Sequence, residues 1–213
     1  FADLCGVRYA VGVNSGTDAL VLGLRALGIG PGDEVITVPN SFVASTGCIR
    51  LLGAKAVLVD VGNDYNIDPD KIVAALSPRT KAILPVHLTG RPCNMDQVLS
   101  IAKDHRLHVI EDCAQAVLAE YKGRRVGSFG RIGCFSLHPL KTLNACGDGG
   151  MLTTDDPELY ERLQVMRNLG LKTRDDCIMW SQNTRLDTLQ AAILLVKLKY
   201  LGHWTARRRE NAQ

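Results

Sequence analysis

Lys141 stands in a part of the chain where neither a core position nor an ordinary surface position explains it. It lies among small residues in the segment C-F-S-L-H-P-L-K-T-L-N-A-C-G-D-G-G, which runs from Cys134 to Gly150. Burial and nearby cations lower the pKa of a lysine and make its neutral amine a nucleophile. Ser136, five positions upstream, carries a hydroxyl that can bind a phosphate. The segment indicates a nucleophilic lysine, and an ordinary solvated lysine is the alternative at this point.

A carboxylate and an amide follow a second apolar run. In V-I-E-D-C-A-Q, Asp112 and Gln115 stand directly after a predicted strand. A carboxylate beside the nitrogen of a pyridine ring favours the protonated ring, which is the electron sink that carbanion chemistry requires. A carboxylate in this place can also be no more than the cap of the next helix. Both roles of Asp112 stay open on this motif alone.

A third motif joins a strand to an apolar helix through small and hydroxyl residues. In N-S-G-T-D-A-L, the residues at the junction are Ser15, Gly16 and Thr17. The free N–H groups and the dipole of a helix N-terminus attract anions, and Thr17 adds a hydroxyl. The motif predicts an anion site, with a simple N-cap as the alternative. The other glycine-rich run, Gly28–Gly32, follows a helix and predicts a helix stop and a turn.

These motifs need a scaffold, and the rest of the chain predicts an α/β sheet, because short β-branched runs alternate with helical patterns. The predicted strands are Tyr9–Val13, Glu34–Val38, Ala56–Asp60, Lys81–Val86, His108–Glu111, Ile132–Leu137 and Gly150–Thr153. The predicted helices are Thr17–Leu27, Val43–Leu52, Pro69–Leu76 and Met95–His105, and an amphipathic helix follows from about Arg185 to Gln213.

Most of the connections are long enough for right-handed crossovers between parallel strands. The connection His138–Gly149 is an exception, because it contains Pro139 and glycines and has no room for a crossover helix. We therefore expect Gly150–Thr153 to run antiparallel in an otherwise parallel, mixed sheet with helices on both faces. Ligands of such sheets bind outside the carboxyl ends of the strands, and all three motifs fall on that edge.

Composition favours a globular protein of the cytoplasm. The chain has 213 residues, 46% of them hydrophobic, and a net charge of +3, so an extended nucleic-acid surface is not expected. Its seven cysteines are odd in number and have no C-x-x-C spacing, which is typical of small buried thiols in a reducing compartment. No apolar run approaches the length of a membrane span, and no membrane or metal site is expected.

In this order, the motifs resemble those of fold type I pyridoxal-phosphate (PLP) enzymes, specifically the DegT/StrS family of sugar aminotransferases. The resemblance continues through G-D-E-V-I-T-V-P-N-S-F, P-V-H-L-T-G-R-P and N-T-R-L-D-T-L-Q-A-A. It implies the three-layer large domain of fold type I at residues 1–184. Residues 185–213 would then connect to a smaller C-terminal domain that this chain does not include.

The resemblance also implies roles for individual residues. The phosphate would be held by Gly16, Thr17 and Ser136, and Ser15 would belong to the same cofactor site. Phe42 would stack on the ring. Asp112 would pair with the ring nitrogen, Gln115 would lie near the ring face or its hydroxyl, and Lys141 would form the Schiff base. His138 precedes Pro139, so we predict that it orients the lysine loop and belongs to the cofactor site. Asn183 would cross a homodimer interface to the phosphate of the neighbouring subunit. His87 resembles a histidine that the family usually keeps; we predict it as catalytic beside Lys141 and Asp112, and a structural role is the alternative.

The implied reaction is a ping-pong transfer through a Lys141 Schiff base and a pyridoxamine phosphate intermediate. Glutamate would donate the amino group, and a keto sugar attached to a nucleotide would accept it. Related sugar dehydratases carry histidine at the lysine position, so Lys141 argues against that branch. A regulatory or cofactor-binding protein of the same family, without turnover, is the alternative. A Rossmann-type nucleotide binder would require G-x-G-x-x-G between a strand and a helix, which the chain lacks.

Overall fold

A computed structural model describes all 213 residues and contains a seven-stranded mixed sheet. The strand order is β1-β9-β8-β5-β4-β2-β3, and two small hairpins, β6-β7 and β10-β11, lie outside the sheet. The strands are β1 Tyr9–Val13, β2 Glu34–Thr37, β3 Lys55–Leu58, β4 Thr80–Ile83, β5 His108–Asp112, β6 Glu120–Tyr121, β7 Arg124–Arg125, β8 Ile132–Ser136, β9 Gly150–Thr154, β10 Leu171–Thr173 and β11 Asp176–Cys177. The predicted fold class is confirmed, and all seven predicted strands are present with ends that shift by no more than a few residues.

Helices cover the sheet on both faces. They are α1 Ala2–Cys5, α2 Gly16–Ala26, α3 Val43–Leu51, α4 Pro69–Ala74, α5 Met95–Asp104, α6 Pro157–Met166 and α7 Thr188–Asn211, with one 3-10 turn at Leu88–Gly90. Alternate residues of β8 enter two hydrophobic clusters, because successive side chains of a strand point to opposite faces. Ile132 and Cys134 pack in the cluster that contains α2, whereas Phe135 packs in the cluster that contains Leu194 and Leu201 of α7.

Helix α6 is an element that the sequence interpretation did not include. Its start carries a recognisable signal, since Asp156 caps the N–H groups of Glu158 and Leu159 and Pro157 occupies the first helical position. Its apolar face buries Leu159 and Leu163. Apolar residues at helical spacing after the capping Asp156, such as Leu159 and Leu163, are the signal that would have identified it.

Strand β9 is antiparallel to both of its neighbours, β8 and β1, as the sequence predicts. The register pairs Gly150 with Ser136 at the end of β8 and with Val13 at the end of β1. The start of one strand and the ends of two others therefore meet at one edge of the sheet. The residues that follow Val13 and Ser136 in the chain are consequently held next to each other.

The long helix α7 runs from Thr188 to Asn211, so it begins a few residues later than predicted. Leu194 and Leu201 anchor it, seven residues apart, in the second hydrophobic cluster. The division of the chain at residue 184 stays a prediction. None of the helices is long and apolar enough to cross a membrane.

Five of the seven cysteines are buried, as expected for small apolar side chains, whereas Cys146 and Cys177 are exposed. Burial raises the pKa of Cys48 and of Cys93 to about 12. Their thiols are therefore protonated at neutral pH and lack the nucleophilic thiolate.

A buried carboxylate lies at the start of β2, next to the edge strand β3. Glu34 opens β2 and is almost fully buried, and it accepts hydrogen bonds from Ser77 Oγ at 2.6 Å, Arg79 at 2.8 Å and Lys55 Nζ at 3.2 Å. The hydroxyl of Ser77 and then the two cations lower the pKa of Glu34 to about 2. The carboxylate thus connects β2, β3 and the turn before β4.

We expect Glu34→Gln to lower the urea midpoint of unfolding at pH 7, because the amide loses the charge that these donors favour. Since the folded pKa is lower than the unfolded value of roughly 4.3, the charged form stabilises the fold above that value. The contribution declines as the pH falls from there towards about 2.

The measurement is urea unfolding of both proteins at pH 7 and pH 3.5. Glu161→Gln is the matched control, because Glu161 is exposed and makes no hydrogen bond or ion pair through its side chain. A gap between Glu34→Gln and the parent that stays constant over this pH range would contradict the assignment.

Candidate active site

A cavity of about 370 Å³ opens at the carboxyl ends of the strands, on the edge where ligands of such sheets bind. Of the predicted site residues, all but His87 and Asn183 line it. The motifs around Ser15, Asp112 and Lys141, which are far apart in the chain, therefore contribute to one surface.

One end of the cavity is formed by the N-terminus of α2 and the end of β8. Ser15 caps α2 by accepting a hydrogen bond from the N–H of Asp18 at 3.0 Å. The backbone here is in close contact with β8, because a Cβ on Gly16 would lie 2.6 Å from Cβ of Ser136. Only glycine allows the Ser136 hydroxyl to lie against the first turn of the helix.

The same end of the cavity has free donors. Thr17 lies in the first turn of α2, and Ser136 Oγ accepts a weak hydrogen bond from the N–H of His138 at 3.4 Å, which leaves its own O–H free to donate. The N–H groups of a first helical turn have no partner within the helix. Together with the helix dipole, these groups make a site for an anionic group such as a phosphate.

Asp112 forms a buried wall of the cavity at the end of β5. Its Oδ2 accepts a hydrogen bond from Ser45 Oγ at 2.7 Å, and its Oδ1 accepts one from the N–H of Ala114 at 3.1 Å. Burial nevertheless raises the pKa of Asp112, and these two hydrogen bonds only oppose that shift. No cation forms an ion pair with the carboxyl group, although the charge of Lys141 is near enough to favour its ionised form. A cationic group beside Asp112 would stabilise the carboxylate.

Ser45 is a site residue that the sequence interpretation missed. It is buried in α3 and connects Asp112 to Ser41, whose hydroxyl lies 2.7 Å from its own. A serine in a helix of ordinary composition carries no signal of this contact. Its partner is 67 residues away in the chain, so only the packing of α3 against β5 reveals it.

Lys141 reaches the cavity from the loop between β8 and β9. It is half-buried, and its Nζ makes no hydrogen bond or ion pair. Phe42 and Leu140 lie at the rim of the cavity with 74% and 88% of their surfaces exposed, so an apolar ring has partners on which to stack. His138 and Gln115 line the same cavity. The arrangement places a free amine and a buried acid around a space large enough for a small aromatic group.

His87 lies behind the site instead of in it. The side chain is fully buried and does not line the cavity. Its Nδ1 accepts a hydrogen bond from the N–H of Cys93 at 3.1 Å, so Nε2 carries the proton and donates to Glu111 at 3.1 Å. Glu111 also accepts three backbone N–H groups of residues 127–130. Both ring nitrogens are occupied, and this geometry favours the structural role over the predicted catalytic one.

Asn183 is exposed and lies away from the cavity of its own chain. Its Oδ1 accepts a long hydrogen bond from the N–H of Arg185 at 3.4 Å, and its backbone bridges to Asn168. Its side chain therefore makes no contact with the cavity of its own chain. Its predicted contact across a dimer interface stays a prediction.

Comparison with known proteins identifies the relationship. The family model described as the DegT/DnrJ/EryC1/StrS aminotransferase family matches residues 1–213. The chain belongs to this family. DegT/DnrJ/EryC1/StrS proteins are the family that the sequence motifs resemble, so that expectation is confirmed.

Individual relatives are similar over the whole chain. A dTDP-3-amino-3,6-dideoxy-alpha-D-galactopyranose transaminase of Aneurinibacillus thermoaerophilus is 52% identical over 100% of this chain and 59% of its own length. A pleiotropic regulatory protein of Geobacillus stearothermophilus is 46% identical over 96% of this chain and 55% of its own length.

A solved structure is also similar to this chain. The structure of DesV from S. venezuelae, in complex with a ketimine intermediate, has a TM-score of 0.96 and 46% sequence identity, over 98% of this chain and 57% of that one. The chain thus spans between half and two thirds of the length of the relatives that it matches.

The close packing at the anion end gives a testable prediction. We expect Gly16→Ala to weaken the binding of pyridoxal phosphate by at least about tenfold, or about 1.4 kcal/mol, because the new Cβ pushes Ser136 away from the helix N-terminus. Titration followed by absorbance measures the affinity. Gly30→Ala is the control, since a Cβ there meets no atom within 4 Å. Equal affinities in the two variants would exclude this end as the phosphate site.

Proposed function

We propose that the protein is a PLP-dependent aminotransferase that moves an amino group from glutamate to a keto sugar attached to a nucleotide. The observation that carries the proposal is the placement of Asp112 and Lys141 on the wall of one cavity, beside a site for an anion. Neither residue has a cationic or anionic partner that would make it a purely structural group. The membership of the aminotransferase family supports the same function.

The residues of the cavity fit pyridoxal phosphate. Gly16, Thr17 and Ser136 would hold the phosphate, because the helix N-terminus and the hydroxyl groups present donors there. Asp112 would hold the protonated ring nitrogen, since its buried carboxyl group lacks a cation. Phe42 would cover the ring, Gln115 and His138 would line the site beside it, and Lys141 would bind the aldehyde carbon.

Bound pyridoxal phosphate supplies an electron sink that stabilises negative charge on the substrate carbon and carries the amino group between two half reactions. Lys141 Nζ, which has no other side-chain partner, would move the proton to and from that carbon. Asp112 would hold the proton on the ring nitrogen, and the hydroxyl of Ser45 orients its Oδ2. Apolar side chains at the rim, such as Leu140, would limit the access of water to the reacting carbon once substrate covers them.

The choice of sugar substrate rests on the relatives. The relative that shares 52% identity is named a transaminase of a dTDP-linked amino sugar. On that ground, we propose a nucleotide-linked keto sugar as the acceptor for this chain. Glutamate is the donor that the family resemblance implies. The seven unpaired cysteines support a reducing compartment such as the cytoplasm.

The proposal includes a homodimer in which Asn183 contacts the phosphate of the neighbouring subunit. Asn183 is exposed and outside its own cavity, so an amide available for another chain is present. Exposed apolar side chains close to it in the sequence, including Trp180 at 89%, would be covered in such an assembly.

The first test concerns the lysine. We expect Lys141→Ala to lose the visible absorbance band that pyridoxal phosphate produces in the parent protein, because the amine that binds the aldehyde is absent. Exchange of the α-proton of glutamate in deuterated water should fall by at least about a hundredfold. Absorbance and proton NMR measure the two effects. Lys103→Ala is the control, since Lys103 is exposed on α5 and does not line the cavity.

The same experiment distinguishes an enzyme from a regulatory protein. This alternative is tested because one relative is named a pleiotropic regulatory protein. A regulator that binds the cofactor would show the visible band but no exchange in the parent protein. An aminotransferase would show both, and would release 2-oxoglutarate when a nucleotide keto sugar is added, which mass spectrometry detects. A visible band that survives Lys141→Ala unchanged would refute the assignment of the lysine.

The dimer gives a second test. If Asn183 acts in the neighbouring subunit, Lys141→Ala and Asn183→Ala chains each load cofactor poorly alone, because every site lacks one group. Mixed and reassociated in equal amounts, they form heterodimers with one intact site, so about a quarter of the parental sites recover. No recovery, while sedimentation shows that heterodimers form, would place the action of Asn183 within its own chain.

A further inference from the structure

The loop that carries Lys141 has no regular structure of its own. Residues 137–149 join β8 to β9 without a helix or a strand. Internal hydrogen bonds close parts of it, from the N–H of Lys141 to the carbonyl of His138 and from the N–H of Ala145 to the carbonyl of Leu137, both at 2.8 Å. A third bond, from the N–H of Leu137 to the carbonyl of Gly149 at 2.8 Å, closes its ends. With only three internal backbone hydrogen bonds, the loop needs outside contacts to hold one conformation.

Helix α7 supplies these contacts. Lys197 Nζ donates to the carbonyl oxygen of Asn144 at 2.9 Å and to its Oδ1 at 2.5 Å. Asn144 Nδ2 in turn donates to the carbonyl oxygen of Lys141 at 2.9 Å. About two turns earlier in α7, Gln190 Oε1 accepts a hydrogen bond from the N–H of Cys146 at 2.8 Å. The lysine loop is therefore attached to α7 at two points.

The helix itself is held firmly. Leu194 and Leu201 are buried in the cluster that also contains Leu143 and Ala145 of the loop. Lys197 lies three residues after Leu194, and residues at this spacing share one face of a helix. Lys197 forms no ion pair with a carboxylate, so its charge is directed only at the loop.

We propose that Lys197 is a positioning residue for Lys141: through Asn144 it holds the carbonyl of the reactive lysine, and so sets the direction from which the amine enters the cavity. This inference rests on the proposed function, because it assumes that Lys141 is the reactive lysine. Lys197 itself contacts neither the cavity nor the acid. Its effect is carried by the backbone of the loop.

Hydrogen exchange of the cofactor-free protein tests the proposal. We expect Lys197→Met to speed exchange at the amides of Lys141, Ala145 and Cys146 by at least about fivefold, because the methionine keeps the apolar stem but loses the donors. Lys199→Met is the matched control on the same helix, since Lys199 is exposed and makes no hydrogen bond through its side chain. Lys197→Arg, which keeps a cationic donor, should restore part of the protection.

Loading with pyridoxal phosphate provides an independent readout. In Lys197→Met, the pH midpoint of the visible band should shift from the parental value, and Lys199→Met should leave it unchanged. Asn144→Ala removes the link from the other side and should give the same exchange pattern. The double variant should then add little to either single one. Having two variants keeps the test informative if one of them fails to fold.

Two outcomes are distinguishable. If the parent protein takes up cofactor but the loop amides exchange equally fast in Lys197→Met and Lys199→Met, the positioning role is refuted and the proposed function stands. If the parent protein gives no visible band with pyridoxal phosphate, the proposed function fails, whatever the exchange data show. The second result would also remove the catalytic meaning of the contact between Lys197 and Asn144.

Discussion

The pairing of β9 with β1 and β8 is the constraint on which the site depends. Gly150 pairs with both Val13 and Ser136, and a Cβ on it would lie 2.2 Å from the carbonyl oxygen of Ser15. The absence of a side chain thus lets the start of α2, the end of β8 and the lysine loop pack in one place. Three segments that are distant in sequence reach the same cavity because one strand runs backwards.

Charge organises the second half of the site. Asp112 and Glu111 are adjacent in β5 and point to opposite faces of the sheet. Glu111 accepts four donors, including His87, so its carboxylate is satisfied within the protein. Asp112 accepts only two hydrogen bonds and forms no ion pair, and burial raises its pKa. Of these two neighbouring acids, Asp112, which has no ion-pair partner, is the one that faces the cavity.

Prediction from the sequence was most successful where a motif carries a local physical requirement. The glycine-rich end of the lysine loop has no room for a crossover, which correctly predicts the reversed β9. The cap at Ser15 and the residues after β5 are local too, and the structure places them on the cavity wall. His87 shows the limit, because a histidine at the end of a strand looks the same whether it faces a ligand or a buried glutamate.

By itself, the sequence determined the α/β class, the order of the strands along the chain and the three motifs, because periodicity, caps and turns are local properties. It also carried the family relationship, since motif order is a property of the chain. Only the tertiary structure decided which side chains meet. The contacts of Ser45 with Asp112 and of Lys197 with Asn144 join residues 67 and 53 positions apart. Such partners are chosen by how elements pack, and no local pattern records that choice.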